Sequence, residues 1–205
     1  MHIMDVYDRL LTRIYFFTII MLVTLAAIAY VNDSVFFTDA IISIFAITAV
    51  YHFRKSLVYS WEGALLCCLG WLMNTAGTLG AYDLSVEGFG WDKLLHFISI
   101  TGLTILIYAY LQRKSELSVL EVVAITFFIA QGFGAINEIV EFIGSHYFNV
   151  GQGLFGMMNG LSEPMSNFDR FDTHWDMIIN TLGILTGLLY IKLSAPARIV
   201  ARAPV

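Results

Sequence analysis

Three short stretches hold most of the side-chain chemistry in this 205-residue chain: WDKLLHF at 91–97, AINEIVEF at 135–142 and FDTHWDM at 171–177. In each, the polar groups recur at helical spacing. Asp92 and His96 are four residues apart and share a helix face, as do Glu138 and Glu141, three apart. Asp172, Asp176 and Asn180 form a stripe of the same kind if their helix starts early enough. Carboxylates gathered this closely cannot all stay ionised without compensation. They can bind cations, share protons, or lie too far apart to interact, and cation binding is the favoured expectation. Oxygen-rich sites suit magnesium, manganese or calcium, and an added imidazole admits zinc or iron. The expected ligand set is therefore Asp92, His96, Glu138, Glu141, Asp172 and Asp176 around a divalent metal ion. In a catalytic version Glu138 or Glu141 acts as general base and His96 as ligand or acid. The Glu-x-x-His pairs of di-iron bundles are absent. So are HExxH and any cysteine-rich zinc pattern.

Each residue also has a plainer role to weigh. Asp92, Asp172 and Asp176 sit where acids cap helix amino termini and meet the positive end of the dipole. Trp91 and Trp175 suit interfacial anchors, and His174 suits a solvated loop edge. Cys67 and Cys68 are adjacent in an apolar block and read as reduced, buried residues. Glu138 and Glu141 lack such an explanation, because they lie among apolar neighbours late in their helix, with Asn137 beside them. Lys93 and Arg170 could pair with one or two of the acids but not with all of them.

The elements that must carry these groups are apolar. Hydrophobic residues make up 58% of the chain and charged residues 13%, against about 25% charged in a typical soluble domain. Six blocks approach the roughly 20 apolar residues that a membrane-spanning helix needs. They run about 14–31, 36–51, 63–81, 94–110, 119–143 and 177–191. The expected fold is all-α: one polytopic membrane helix bundle over residues 1–205, with about six transmembrane helices. Ala27-Ile28-Ala29 has the look of a signal cleavage site, but Asp5 and Asp8 stand where a signal peptide carries positive charge. A retained first helix is expected.

Lysine and arginine favour the cytoplasmic side. With an inside amino terminus, Arg9, Arg13, Arg54, Lys55, Arg113, Lys114, Lys192, Arg198 and Arg202 fall inside, while Lys93 and Arg170 fall outside. Both termini are therefore expected in the cytoplasm. On this map Asp92 opens the fourth helix from outside, and Asp172 and Asp176 open the sixth. Glu138 lies about 28 Å along a fifth helix that starts inside. All three clusters reach the extracytoplasmic surface at one depth. Two helix starts also echo each other, WDKLLHFISITG and WDMIINTLGILTG, with His96 and Asn180 in matching places and Asn74 and Asn137 on the preceding helices. Two hairpins related by a repeat would place a site between them.

Three function classes follow. A metal-dependent enzyme on the outer face would act on membrane lipid or a lipid-linked envelope substrate, as hydrolase or transferase. A non-catalytic module would hold a cation for structure or sensing. A transporter should carry ionisable groups along a path through the membrane, and the inner halves of the fourth to sixth helices look bare of acids beyond Glu121 at the inner end of the fifth. Nothing points to a nucleic-acid partner. Close packing through Gly183 and Gly187, and through Gly132 and Gly134, is expected. The loop GQGLFGMMNG at 151–160 has no phosphate-binding spacing and could serve as a lid.

The order Asp-Lys-x-x-His, Asn-Glu-x-x-Glu, Asp-Thr-x-x-Asp-Met resembles the YjdF-type bacterial inner-membrane proteins and, more distantly, VanZ-type membrane proteins. The resemblance covers about 91–187, and the first half of the chain matches only as apolar helices. It implies a small multi-pass protein of the bacterial inner membrane. The family's signature falls on Asp92, His96, Glu138, Glu141, Asp172 and Asp176. The family has no settled activity, so the resemblance implies no reaction.

Overall fold

The structure, a computed structural model, describes residues 3–32, 37–58, 60–86, 89–147 and 171–198. Six α-helices carry the fold. They are α1 (Ile3–Val31), α2 (Phe37–Leu57), α3 (Trp61–Thr78), α4 (Trp91–Lys114), α5 (Val119–Tyr147) and α6 (Asp172–Arg198). Five of them are long and apolar enough to cross a membrane. The remaining helix, α3, has 18 residues and includes Glu62 and Asn74. The chain is a polytopic helical membrane protein.

All the helices except α3 are longer than the apolar blocks that announced them. The sixth block began near Met177, whereas α6 begins at Asp172. Its first turn is acidic and drops out of any hydropathy window, yet acids suit a helix amino terminus. The same effect moves the start of α4 back to Trp91. At the other end α5 continues to Tyr147, so Glu138 and Glu141 lie more than one turn inside it. The dipole acts mainly within the last turn, so burial is what makes these two glutamates costly.

Helix α4 is the centre of the second half, packed against α3, α5 and α6, while α1 packs on α2 and α3. Small residues allow these approaches. A Cβ placed on Gly102 of α4 would lie 2.7 Å from Leu66 Cβ and 2.8 Å from the Cys67 amide nitrogen of α3. A Cβ on Gly183 of α6 would lie 2.9 Å from the Phe97 carbonyl oxygen, and one on Gly187 would lie 3.1 Å from that of Thr101. Thr101 Oγ1 also donates to the Gly183 carbonyl at 3.1 Å. This close backbone packing holds helices together where the surroundings are as apolar as the side chains. Gly134 likewise faces Asn180, but nothing stands within 4 Å of a Cβ on Gly132, so the expected packing role there fails.

The α3–α4 turn is tightly organised. Helix α3 ends where Gly80 takes φ +118°, a left-handed conformation suited to glycine. A 3-10 turn (Ala81–Asp83) and two paired antiparallel strands, β1 (Ser85–Val86) and β2 (Phe89–Gly90), return the chain to α4. Trp91 Nε1 donates to the Met73 carbonyl at 2.9 Å, and Tyr82 Oη donates to Asn74 Oδ1 at 2.9 Å. Trp91 thus pins the start of α4 to α3.

The outer surface is oily, with Phe16, Phe45 and Phe128 all more than 60% exposed. Apolar cover on this scale belongs against lipid. Buried Lys93, His96, Glu138, Asp176 and Asn180 lie in the outer turns of α4, α5 and α6.

Candidate metal centre

The first turn of α4 places Lys93 inside the protein, with 3% exposure. Its ammonium contacts three carboxylates from two helices. It donates to Asp92 Oδ2 at 2.7 Å, to Asp176 Oδ2 at 2.9 Å, and to Asp172 Oδ1. Asp176 Oδ1 also comes within 2.7 Å, but off the axis of a hydrogen bond. An ammonium has three donors and no acceptor, so this site uses its full capacity. The sequence puts Lys93 in an outer segment, able to pair with one or two of the acids. In the structure it pairs with three aspartates and ties α4 to α6.

His96 lies one turn further along α4 and is also buried. Its Nδ1 is 3.3 Å from Asn180 Oδ1. The contact holds the ring toward α6, and Nε2 would serve as a ligand whenever that nitrogen is unprotonated. Nε2 faces Asp92 Oδ1 at 3.5 Å and Glu138 Oε1 at 3.7 Å. These distances are long for hydrogen bonds. Glu138 is 5% exposed, and its Oε1 has no hydrogen-bond partner. Glu141, one turn on, is braced by Asn137 Nδ2, which donates to its Oε1 at 2.7 Å.

Two groups of side chains offer ligand atoms that all lie within 4.8 Å of one another: Asp92, His96 and Asp176, and His96, Glu138 and Glu141. Ligands at about 2.0–2.2 Å from one ion lie up to about 4.4 Å apart, so either group needs only a small contraction to close. His96 belongs to both. Asp176 and Asp92 both accept from Lys93, which leaves His96, Glu138 and Glu141 as the group clear of the lysine, with Asp92 Oδ1 3.5 Å from His96 Nε2. Asp172 pairs with Lys93 on the outer side, 46% exposed, and joins neither group.

The positions of the internal echo meet in space. Asp92 and Asp176 share Lys93, and His96 contacts Asn180. Asn74 and Asn137 line a cavity of about 300 Å³ beside the cluster, with His96, Glu141 and Asn180. Sequence reasoning had no separate signal for Tyr82, which closes this cavity and donates to Asn74. Lys93 did carry a signal, because a lysine at a helix amino terminus opposes the dipole and needs compensating acids. Trp175 and His174 are exposed, and Cys67 and Cys68 are free thiols. Asp169, Arg170 and the loop 151–160 lie outside the described residues.

No curated protein and no solved structure matches the chain. A family model does match, over residues 11–195, nearly the whole chain and well beyond the 91–187 stretch that carries the motifs. The chain belongs to the family described as predicted membrane protein DUF2238.

Proposed function

We propose that the chain is a metal-dependent hydrolase or transferase of the bacterial inner membrane, with its centre at the extracytoplasmic face. His96, Glu138, Glu141 and Asp92 hold a divalent cation. The observation that carries this reading is Glu138 Oε1, a buried carboxylate oxygen with no hydrogen-bond partner, 3.7 Å from His96 Nε2. A buried acceptor left unpaired is costly. A cation between it and Nε2 removes that cost. Asn180 serves as the outer support that fixes the imidazole, as such partners do in metal sites. Of the proposed ligands, His96 and Glu141 line the adjoining cavity; a bound cation would supply Lewis acidity there, and Glu141 would be the group to accept a proton.

The lysine and arginine distribution supports an orientation with both termini in the cytoplasm and this centre outside. A cysteine replacing exposed Thr173 then reacts with a membrane-impermeant maleimide added to the outer face. Reaction only from the cytoplasmic face reverses the orientation.

Catalysis is tested with purified protein in lipid nanodiscs, supplied with manganese or zinc and a panel of ester and phosphoester amphiphiles. Turnover that falls at least a hundredfold in His96→Gln supports the reading. Bound metal with no turnover across the panel overturns the catalytic part and leaves a cation-binding structural or sensory module.

A further inference from the structure

Helices α3 and α5 flank α4 but form no packed interface with each other, and the cavity beside the metal centre is the cleft between them. Its two ends differ in chemistry. The apolar end is walled by Cys67 and Trp71 of α3, Leu103 of α4 and Phe133 of α5. The polar end holds His96, Glu141 and Asn180. Leu103 lies two turns deeper along α4 than His96, so the polarity gradient runs along the membrane normal, from the outer surface inward. Phe133 lines the cleft and is 54% exposed, so the cleft is not sealed at its α5 wall.

A second observation at the polar end points to a ligand. Asn180 is 1% exposed, and its Nδ2 has no hydrogen-bond partner while its Oδ1 is engaged by His96. A buried donor of this kind calls for an acceptor oxygen. Water alone could supply one, but it would leave the apolar end unfilled. At about 300 Å³ the cleft is at the small end of the ~300–1,000 Å³ range of ligand pockets, room for one chain segment.

We propose that this cleft binds a single-chain membrane amphiphile that enters laterally from the bilayer. Its chain lies between α3 and α5 against Leu103 and Phe133. Its head, an ester or phosphoester, presents an acceptor oxygen to Asn180 Nδ2 beside the metal. The carboxylates repel an anionic head until the cation is in place, so phosphoester binding rests on the metal reading. Ester binding and occupation of the cleft by the chain do not.

The test is photolabelling in phosphatidylethanolamine/phosphatidylglycerol nanodiscs. Two probes are used at low mole fraction, a hexadecyl phosphate and a methyl hexadecanoate, each carrying a mid-chain diazirine. Label sites are mapped by peptide mass spectrometry, and metal content is measured on the same samples. The expected result is label concentrated on the α3 and α5 walls at least fivefold over lipid-facing Phe16, Phe45 and Phe128. It is competed by unlabelled probe and not by added phosphatidylglycerol. Leu103→Trp, which fills the deep end without touching a proposed ligand, removes the enrichment and leaves metal content unchanged. Enrichment with the phosphate probe that is lost on chelation identifies a phosphoester head, and enrichment with the ester probe alone identifies an ester. Uniform labelling by both probes, or enrichment indifferent to Leu103→Trp, overturns the proposal even if metal is bound. Enrichment without any bound metal keeps the cleft and removes the metal centre.

Discussion

His96 Nδ1 lies 3.3 Å from Asn180 Oδ1, and the two residues occupy matching positions in the echoed starts of α4 and α6. One helix supplies the imidazole and the other supplies the group that orients it, with Nε2 facing Asp92 and Glu138. Replacing Asn180 with Ala frees the ring without removing a proposed ligand. Outer-shell losses of this kind weaken metal binding about 10–100-fold. Isothermal titration with manganese into chelated protein should show that range for Asn180→Ala and complete loss for His96→Gln. Unchanged affinity in Asn180→Ala would mean that the contact does not orient the ring.

Lys93 is the electrostatic tie between α4 and α6. Removing one partner of a buried charged network leaves uncompensated charge and costs about 3–5 kcal/mol. Lys93→Met leaves Asp92, Asp172 and Asp176 facing one another, and should lower the unfolding midpoint in detergent by an amount in keeping with that cost. Asp172 is 46% exposed, so Asp172→Asn should cost under about 1 kcal/mol. Equal effects from the two substitutions would show that the network is not organised around the lysine.

The glycine contacts separate packing from helix propensity. Gly183→Leu drives a side chain toward the Phe97 carbonyl, which a flexible rotamer cannot relieve. A loss of at least about 1–3 kcal/mol is expected from the overpacking, with α4 and α6 forced apart. Gly132→Ala meets nothing within 4 Å and should leave the unfolding midpoint unchanged or slightly raised. Thermal unfolding of the two variants side by side checks the assignment. A tolerated Gly183→Leu would contradict the close α4–α6 approach.

Much of this site could be read from the chain because a membrane imposes depth. An acid in an apolar helix is rare enough to stand out, and helix rise together with the distribution of lysine and arginine assigns each acid to a surface. That is why Asp92, His96, Glu138, Glu141 and Asp176 could be grouped before any coordinates, and why they do lie close together. What spacing could not supply was the division of labour. Lys93 was assigned to a loop because positive charge was being used to orient the helices, and its burial depends on how α6 packs beside α4. Asp172 looked equivalent to Asp176, but one turn of helix separates a half-exposed rim from a fully buried position. The cleft between α3 and α5 left no trace in the sequence, since it arises from two helices that flank α4 without packing closely on each other.

The central claim is a cation held by His96 and the α5 glutamates, and elemental analysis of purified protein tests it most directly. Wild type is compared with the Glu138→Gln/Glu141→Gln variant, which keeps side-chain volume while removing both charges. Close to one equivalent of a divalent metal in the wild type is expected, falling below about a tenth of that in a variant that remains folded and monodisperse. No metal in the wild type after supplementation with magnesium, manganese, calcium and zinc would contradict the claim. The cluster would then be a hydrogen-bonded network around Lys93 and His96 that holds the outer ends of α4, α5 and α6 together.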